Sequence, residues 1–462
     1  MSKAQGPQSE TRVIMAHAGT VLAGQLAIMA FSVADTLIAG RYSQASLAAL
    51  SIGSSIYISI YVALNGMMQA LLPVWAQLRG AEQFTQVGRS VRQALYLCGA
   101  AIVLGVLALL YPDPWLEWTE VPAALQAEVR SYLQVLAWAV APSLLFRMYS
   151  TLNQSLGMPR LVTWLQVAGL CLKVPLSIIF TFGVAGLPAQ GAVGCAWATL
   201  VVNLAMLGMG LYLLRTQDVY RVYRLWQPME RPDLQAIQQF LRLGVPAGLS
   251  IMVEITSFTL MALFIARMGV EATAGHQIAA TWAGVLYMIP LALGIASSSR
   301  VGFWLGANNP RQVRRAMKTG LALSAAMAAS CCLALWLGKA ALAKAFTTDP
   351  EVAAIAVGLL GWVVVYHFVD AIQTVCAFLL RCFQITLLPL AIYCALLWGM
   401  GLGGGYVWAY QGIGQQAARP LPDSFWLTST TALAVVTLLF LGLTYRAVKH
   451  QRGGVLHSEK SI

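Results

Sequence analysis

Twelve long apolar segments follow one another along the 462-residue chain, and this feature limits the possible folds most. Only 10% of the residues are charged, whereas soluble domains carry about 25% charged residues. A bilayer span needs roughly 20 apolar residues, so the segments predict an all-α polytopic membrane protein with twelve transmembrane helices. We expect the spans near residues 15–40, 47–76, 93–111, 131–154, 161–182, 191–214, 240–266, 272–297, 316–338, 352–380, 386–410 and 424–446.

Composition and motifs exclude several classes of protein. The net charge of +12 does not indicate nucleic-acid binding, because the basic residues lie in loops between apolar segments. The eight cysteines have no metal-ligand spacing and are expected to be core residues. The chain contains no HExxH motif, nucleophile elbow or P-loop lysine, so we expect neither an enzyme nor direct use of ATP.

The basic residues predict the orientation of the chain in the membrane. One set of alternating loops and termini contains 21 Lys and Arg residues, and the other set contains 6. Because Lys and Arg accumulate on the cytoplasmic side, both termini should be cytoplasmic. The acidic stretch Asp113–Glu128 then falls on the outer face.

A weak internal repeat divides the chain. Gly80 and Ala81 precede a Val-x-Arg-x-x-Arg pattern, and Gly306 and Ala307 precede Val-x-Arg-x-x-Lys, with corresponding residues 226 positions apart. An even number of spans between the copies gives two six-helix lobes in the same orientation, which is typical of transporters. The predicted parts are an N-terminal lobe, an inter-lobe cytoplasmic linker, and a C-terminal lobe with a cytoplasmic tail, at residues 1–214, 215–239 and 240–462.

Five formal charges lie clearly inside the predicted spans, rather than in their outermost residues, where a charged side chain costs at least ~2.5–3.5 kcal/mol. They are Asp35, Arg147, Lys173, Glu254 and Asp370. Arg147 lies near the inner end of its segment, and we expect it to snorkel. The other four are candidates for a functional site.

In the C-terminal half, Tyr366, Asp370 and Gln373 share one helix face, because they are spaced by four and three residues. Glu254 is the other acid in the spans of that half. Two carboxylates with a phenol and an amide can supply oxygen ligands to Na+ or hold a titrating proton. The alternative is structural, with the carboxyl groups as hydrogen-bonded core residues or as a polar pair that locks two helices.

In the N-terminal half, Lys173 and Ser177 are four residues apart in the fifth segment, and Thr199 lies in the sixth. A lysine within a span needs a carboxylate, and Asp35 is the only acid in the spans of that half. We therefore expect an Asp35–Lys173 ion pair in a second polar site. The alternative is a lysine that snorkels to the membrane interface.

Short motifs are spread over nearly the whole chain. In the first half they are Val33–Thr36 with Ala39-Gly40, Pro73–Ala81 and Gly191–Thr199. In the second half they are Gly244-Val245-Pro246, Glu254, Gly275-His276-Gln277, Ser299-Arg300-Val301-Gly302, Leu305-Gly306, Tyr366–Asp370 and Arg381. Together these motifs resemble the multidrug and toxic compound extrusion (MATE) family, and its NorM-like bacterial branch in particular.

The resemblance implies two lobes around a central cavity, and export of bulky, often cationic compounds in exchange for Na+ or H+. It carries the cation-coupling role over to Glu254, Asp370 and Tyr366, which would be the metal ligands in a sodium-coupled protein. The family commonly has Asn where this chain has Lys173, so the chain departs from the family there. The implied substrate contacts are Gln277, Phe258, Ser55, Asp35 and Asp349.

We therefore expect a cation-coupled antiporter in the bacterial inner membrane, with no cofactor beyond the coupling ion. Its partners would be small organic cations or drugs and membrane lipids, without nucleic acid, and we expect a monomer. One alternative stays open, a flippase for a lipid-linked precursor from the same superfamily. Such a flippase would need many cations in its cavity for a pyrophosphate, and only Lys173 and Arg147 qualify.

Overall fold

The computed structural model describes residues 9–118, 122–183, 186, 188–412, 418 and 420–458, and only the backbone of 117, 118 and 450–458. Three basic residues used for the orientation, Lys3, Arg419 and Lys460, lie outside the described residues. Within the described ranges, twelve helical segments are long and apolar enough to cross a bilayer, and no strand occurs. The predicted all-α polytopic fold is confirmed.

The helices follow the predicted segments closely. In the first part of the chain they are α1 (Glu10–Tyr42), α2 (Gln44–Gln69), α3 (Leu72–Gly80), α4 (Phe84–Leu110), α5 (Asp113–Trp118), α6 (Ala123–Ser155), α7 (Pro159–Phe182) and α8 (Ala192–Thr216). A 3-10 helix, Asp218–Tyr223, follows. In the second part they are α9 (Leu234–Ala266), α10 (Val270–Gly306), α11 (Pro310–Phe346), α12 (Pro350–Cys382), α13 (Leu387–Tyr393), α14 (Gly404–Tyr406) and α15 (Pro422–Ser458).

Two spans depart from a regular α-helix. The second span is interrupted between α2 and α3, where Pro73 occupies the first turn of α3 and lacks a backbone N–H. In the eleventh span, π-helical turns at Cys394–Gly403 and Val407–Gln411 flank α14. Glycines at 401 and 403–405 are concentrated there, and π-helical turns often mark functional sites.

The internal repeat is visible in the backbone. Glu82 and Asn308 both have left-handed φ, 57° and 50°, and they lie 226 residues apart. The three N–H groups from Ala81 onward bond back to the carbonyls of Gln77, Arg79 and Leu78, and the three from Ala307 repeat this pattern 226 residues later. Equivalent helix ends in the two halves therefore share one local structure.

The chain forms two compact units. Unit 1 comprises residues up to Leu22 and from Leu249 onward, and unit 2 comprises Ala23–Gly248. Consequently, α1 and α9 each run from one unit into the other. Within unit 1, Ile14 and Ala18 of α1 belong to one hydrophobic cluster with residues of α10, α11 and α12.

The segment between α8 and α9 is bonded to α4 within unit 2. The Arg92 guanidinium donates to Glu230 Oε1 at 2.6 Å, and Gln93 Nε2 donates to the Arg231 carbonyl at 3.0 Å. Gly88 allows this contact, because a Cβ at this position would lie 2.0 Å from the Tyr223 carbonyl oxygen.

The hydrogen bond from Arg92 lowers the pKa of Glu230 below its ordinary value.

Candidate functional site

In unit 1, the structure brings the two predicted carboxylates together through one amide. Gln373 Nε2 lies 2.9 Å from Asp370 Oδ1 and 3.4 Å from Glu254 Oε1. Asp370 and Gln373 are on α12, and Glu254 faces them from α9. Two carboxylates bridged by one neutral amide repel each other, and a bound cation or a proton would relieve this repulsion.

The orientation of this amide is held by a residue that sequence reasoning missed. Tyr393, buried at the end of α13, donates its hydroxyl hydrogen bond to Gln373 Oε1. Gln373 Nε2 therefore points to the carboxylates and also lies 3.2 Å from Thr374 Oγ1. Tyr393 stands in an apolar segment where a tyrosine is usually a packing residue, so the sequence carried no signal for this role.

A cavity of about 320 Å³ opens beside the carboxylates within unit 1. Its size is at the lower end of the range for small-molecule pockets, and its wall is mostly apolar with a few polar groups. The lining residues are Ile251, Glu254, Ile255, Phe258, Thr259, Ala280, Ala283, Gly284, Tyr287, Met288, Tyr366 and Asp370. The structure thus joins the cation-coupling candidates and one substrate candidate, Phe258, on one wall.

Three aromatic rings pack edge to face next to the cavity. The ring centroids of Phe258 and Tyr366 are 5.4 Å apart, and Trp426 lies 6.1 Å from Phe258 and 5.8 Å from Tyr366. Trp426 Nε1 donates to His276 Nδ1 at 3.2 Å, which links α15 to α10. This packing orients Phe258 and Tyr366 and makes them rigid parts of the wall.

A buried cation lies on the other side of Glu254. Arg381 is 7% exposed and lines a much smaller cavity of about 20 Å³ together with Glu254 and Tyr393. Its guanidinium carbon lies 4.5 Å from the centroid of the Phe378 ring. The predicted span ended at residue 380, one residue before Arg381, whereas α12 continues to Cys382. The sequence therefore predicted Arg381 in a loop and not beside Glu254.

The other predicted substrate residues are not among the residues that line this cavity. Gln277 is exposed on α10 and does not line the cavity. Asp349 caps the start of α12 by accepting from the N–H groups of Glu351 at 2.8 Å and Val352 at 3.3 Å. Ser55 is exposed on α2 in unit 2 and donates to the Ser51 carbonyl. Their substrate contacts stay predictions.

In unit 2, the structure brings together all four residues of the second candidate site. The Lys173 ammonium lies 2.9 Å from Asp35 Oδ1 and 2.7 Å from Thr199 Oγ1. Ser177 Oγ donates to the same Asp35 oxygen at 3.0 Å. The Lys173 side chain is fully buried, so it does not snorkel to an interface. Arg147 is also buried, at 9% exposure, and the expectation that it snorkels is wrong.

Over the described residues, twelve helices long and apolar enough to span a membrane, with buried carboxylates beside a cavity, are features of a membrane transporter. The MatE family model matches residues 21–179 and 246–407, which is more than half of the chain. A probable multidrug resistance protein NorM of Aromatoleum aromaticum is 38% identical over 428 residues, covering 92% of this chain and 91% of the relative. The chain therefore belongs to the MatE family of transporters and is not an enzyme.

Further relatives and solved structures agree with this assignment. The multidrug resistance protein MdtK of Pectobacterium atrosepticum is 32% identical, with 94% of this chain and 96% of the relative covered. The eukaryotic MATE transporter AtDTX14 superposes with a TM-score of 0.82 at 19% identity, covering 96% of this chain and 99% of the other. An outward-facing multidrug resistance MATE family transporter superposes with a TM-score of 0.87 at 15% identity, covering 96% of this chain and 97% of the other. At these identities the structures establish the fold alone.

Proposed function

We propose that this protein exports bulky, often cationic organic compounds in exchange for Na+ or H+, by alternating access in the bacterial inner membrane. The observation that carries the proposal is the pair Glu254 and Asp370, bridged by Gln373 beside an aromatic cavity. The names of the bacterial relatives support drugs as the substrate class. The flippase alternative is not favoured, since those relatives are named as multidrug resistance proteins.

The coupling ion would bind at the two carboxylates. Carboxylate and hydroxyl oxygens are hard ligands that suit Na+, and the same carboxylates can hold a proton instead. Glu254 and Asp370 would supply the charge, and the nearby neutral oxygens include the Thr374 hydroxyl and the phenols of Tyr366 and Tyr287. Binding of a cation would remove the repulsion between the carboxylates and change the packing of α9 against α12.

The energy requirement of export is modest. A 100-fold gradient of a neutral compound costs about 2.7 kcal/mol. One cation that moves inward down ~100 mV supplies about 2.3 kcal/mol, and its concentration gradient adds to this. Exchange of one or two cations is therefore sufficient.

Transport by the purified protein in liposomes tests the proposal, with Na+ and H+ gradients imposed separately. Glu254→Gln and Asp370→Asn should abolish concentrative export and leave the protein folded. Glu271→Gln is the matched control, because Glu271 is exposed at the start of α10 and should be dispensable. Normal export against a gradient by both site variants would disprove the coupling site.

A further inference from the structure

We use the name Asp35 cluster for the polar site of unit 2, in which oxygens surround the Lys173 ammonium. Its members are Asp35, Lys173, Ser177, Thr199 and the Cys195 carbonyl. An ammonium has three donors, and those of Lys173 find Asp35 Oδ1 at 2.9 Å, Thr199 Oγ1 at 2.7 Å and the Cys195 carbonyl at 2.8 Å. Every donor of the buried cation is used within the cluster. The donors of the ammonium are thus satisfied by protein oxygens alone.

The helices are packed so that these oxygens converge. Lys173 and Ser177 are one turn apart on α7, and Cys195 and Thr199 are one turn apart on α8. Gly194 permits the close approach of α8 to the end of α7, because a Cβ there would lie 2.5 Å from the Thr181 nitrogen. The Cys195 carbonyl next to Gly194 is thereby brought within reach of the Lys173 ammonium.

The oxygens around the ammonium are also a ligand set for a metal cation. One carboxylate, the hydroxyls of Ser177 and Thr199 and one backbone carbonyl are hard donors, and the single negative charge of Asp35 matches a monovalent ion. The three contacts of the Lys173 ammonium are all to oxygen. The Cys195 thiol lies 3.4 Å from Thr181 Oγ1 and 3.9 Å from the Asp35 carbonyl oxygen.

We propose that this cluster is a monovalent-cation site that the protein fills permanently with its own tethered ammonium, Lys173. Because the lysine is covalently attached, the cluster does not exchange ions in the native protein. Shortening the side chain should open the cluster to Na+, K+ or a small alkylammonium ion. This inference concerns unit 2 and is independent of the coupling site proposed in unit 1.

Two substitutions of Lys173 distinguish loss of its positive charge from loss of its side-chain volume. Lys173→Ala removes the ammonium and most of the chain and leaves space beside the oxygens. Lys173→Met removes the charge but retains nearly the whole volume, so a metal ion has no room. Both variants leave Asp35 without its partner and should lower the melting temperature in choline chloride, since an uncompensated buried charge is destabilising.

The measurement is thermal unfolding in detergent, in NaCl, KCl, methylammonium chloride and choline chloride at equal ionic strength. All variants carry Glu254→Gln and Asp370→Asn, so that cation binding in unit 1 does not contribute. For Lys173→Ala we expect the melting temperature to rise with the concentration of Na+, K+ or methylammonium and not with choline, as for a ligand that binds only the folded state. Lys173→Met, Lys173→Ala with Asp35→Asn, and the chain with Lys173 intact should show no such rise.

Several outcomes would overturn the proposal. An equal rise in melting temperature with cation concentration in Lys173→Ala and Lys173→Met would mean that the space left by the lysine side chain is not the binding site. A response that survives Asp35→Asn would exclude the carboxylate as a ligand. If Lys173→Ala cannot be recovered folded even in NaCl or methylammonium chloride, the oxygens do not bind a free cation. None of these results depends on transport, so they are distinguishable from a failure of the coupling site.

Discussion

Tyr393 donates a hydrogen bond to the amide oxygen of Gln373, and this contact determines which end of the amide faces the carboxylates. Without the tyrosine hydroxyl, the amide could turn its oxygen toward two anions or leave them without a donor. In the proposed coupling site, Tyr393 would therefore be a positioning residue that acts through Gln373, since its hydroxyl donates to the amide and not to a carboxylate.

Tyr393→Phe should weaken coupling-ion binding while the fold persists. A net hydrogen bond contributes about 1 kcal/mol, so we expect the apparent affinity for the coupling ion to fall by roughly 5-fold. The measurement is the ion-concentration dependence of transport in liposomes. Tyr410→Phe is the matched control, because its hydroxyl donates to the Phe264 carbonyl at 2.7 Å rather than to Gln373. Equal effects of the two substitutions would show that Tyr393 acts only through packing.

Phe258→Leu should impair recognition of cationic substrates, because it keeps an apolar side chain on the cavity wall but removes the aromatic face. A cation–π contact contributes about 0.5–2 kcal/mol, so KM for a cationic dye should rise between about 2- and 30-fold. Gln277→Ala is the informative comparison, because Gln277 is exposed and lies off this wall. A larger effect at Gln277 than at Phe258 would favour the contact implied by family resemblance over the cavity described above.

Glu10→Gln should destabilise the protein strongly. Both Glu10 oxygens accept from Arg300, each at 2.8 Å, and the glutamate side chain is only 6% exposed. Removing one partner of a buried pair costs about 3–5 kcal/mol, and the melting temperature in detergent should fall accordingly. Asp113→Asn is the control, since the Asp113–Arg130 pair is about half exposed and should contribute about 0–1 kcal/mol. A similar fall in melting temperature in Glu10→Gln and Asp113→Asn would show that the buried Glu10–Arg300 pair contributes no more stability than an exposed pair.

Glu230 should stabilise the protein in a pH-dependent manner. Its pKa is lowered by the hydrogen bond from Arg92, so its contribution is fully present above the ordinary glutamate pKa of 4.5. The contribution is lost as the pH falls through the depressed pKa of the folded state, where the carboxylate takes up a proton. Glu230→Gln should therefore lower the melting temperature at neutral pH, and the difference from the unmodified chain should shrink on acidification below pH 4.5.

The exposed pair Asp218–Arg221 provides the comparison for Glu230. Asp218→Asn should change the melting temperature little at any pH, because solvent screens this pair. A difference between Glu230→Gln and the unmodified chain that stays constant down to strongly acidic pH would exclude the proposed ionic contribution.

Cysteine labelling should establish the orientation predicted from the basic residues. A membrane-impermeant thiol reagent applied to intact cells should label cysteines introduced at Trp115 and Ala418 and should not label those at Gln83 or Asn309. The chain without an introduced cysteine gives the background from its eight native cysteines. Labelling at Asn309 from outside, before permeabilisation, would reverse the predicted topology.

The carboxylates and the lysine were predictable because a charge inside an apolar segment stands out. Glu254, Asp370 and Lys173 are expensive to bury, so each needs a local partner or a function. Tyr393 and Trp426 were not predictable, because aromatic residues in spans follow the same pattern whether they pack or position a polar group. The burial of Arg381 was not predictable, because the predicted span ended at residue 380 and placed this residue in a loop. The helix continues to Cys382, and Arg381 is therefore buried.

The ion pair of Glu10 with Arg300 has a consequence for synthesis, because the two residues are 290 positions apart. At about 5–20 residues per second, a ribosome needs roughly 15–60 s to reach Arg300 after it has made Glu10. During this interval the carboxylate has no partner and has to be solvated by water or lipid head groups. The first helix of the chain thus gains this partner only after α10 has been made, and a nascent chain released earlier leaves Glu10 available to quality-control proteases.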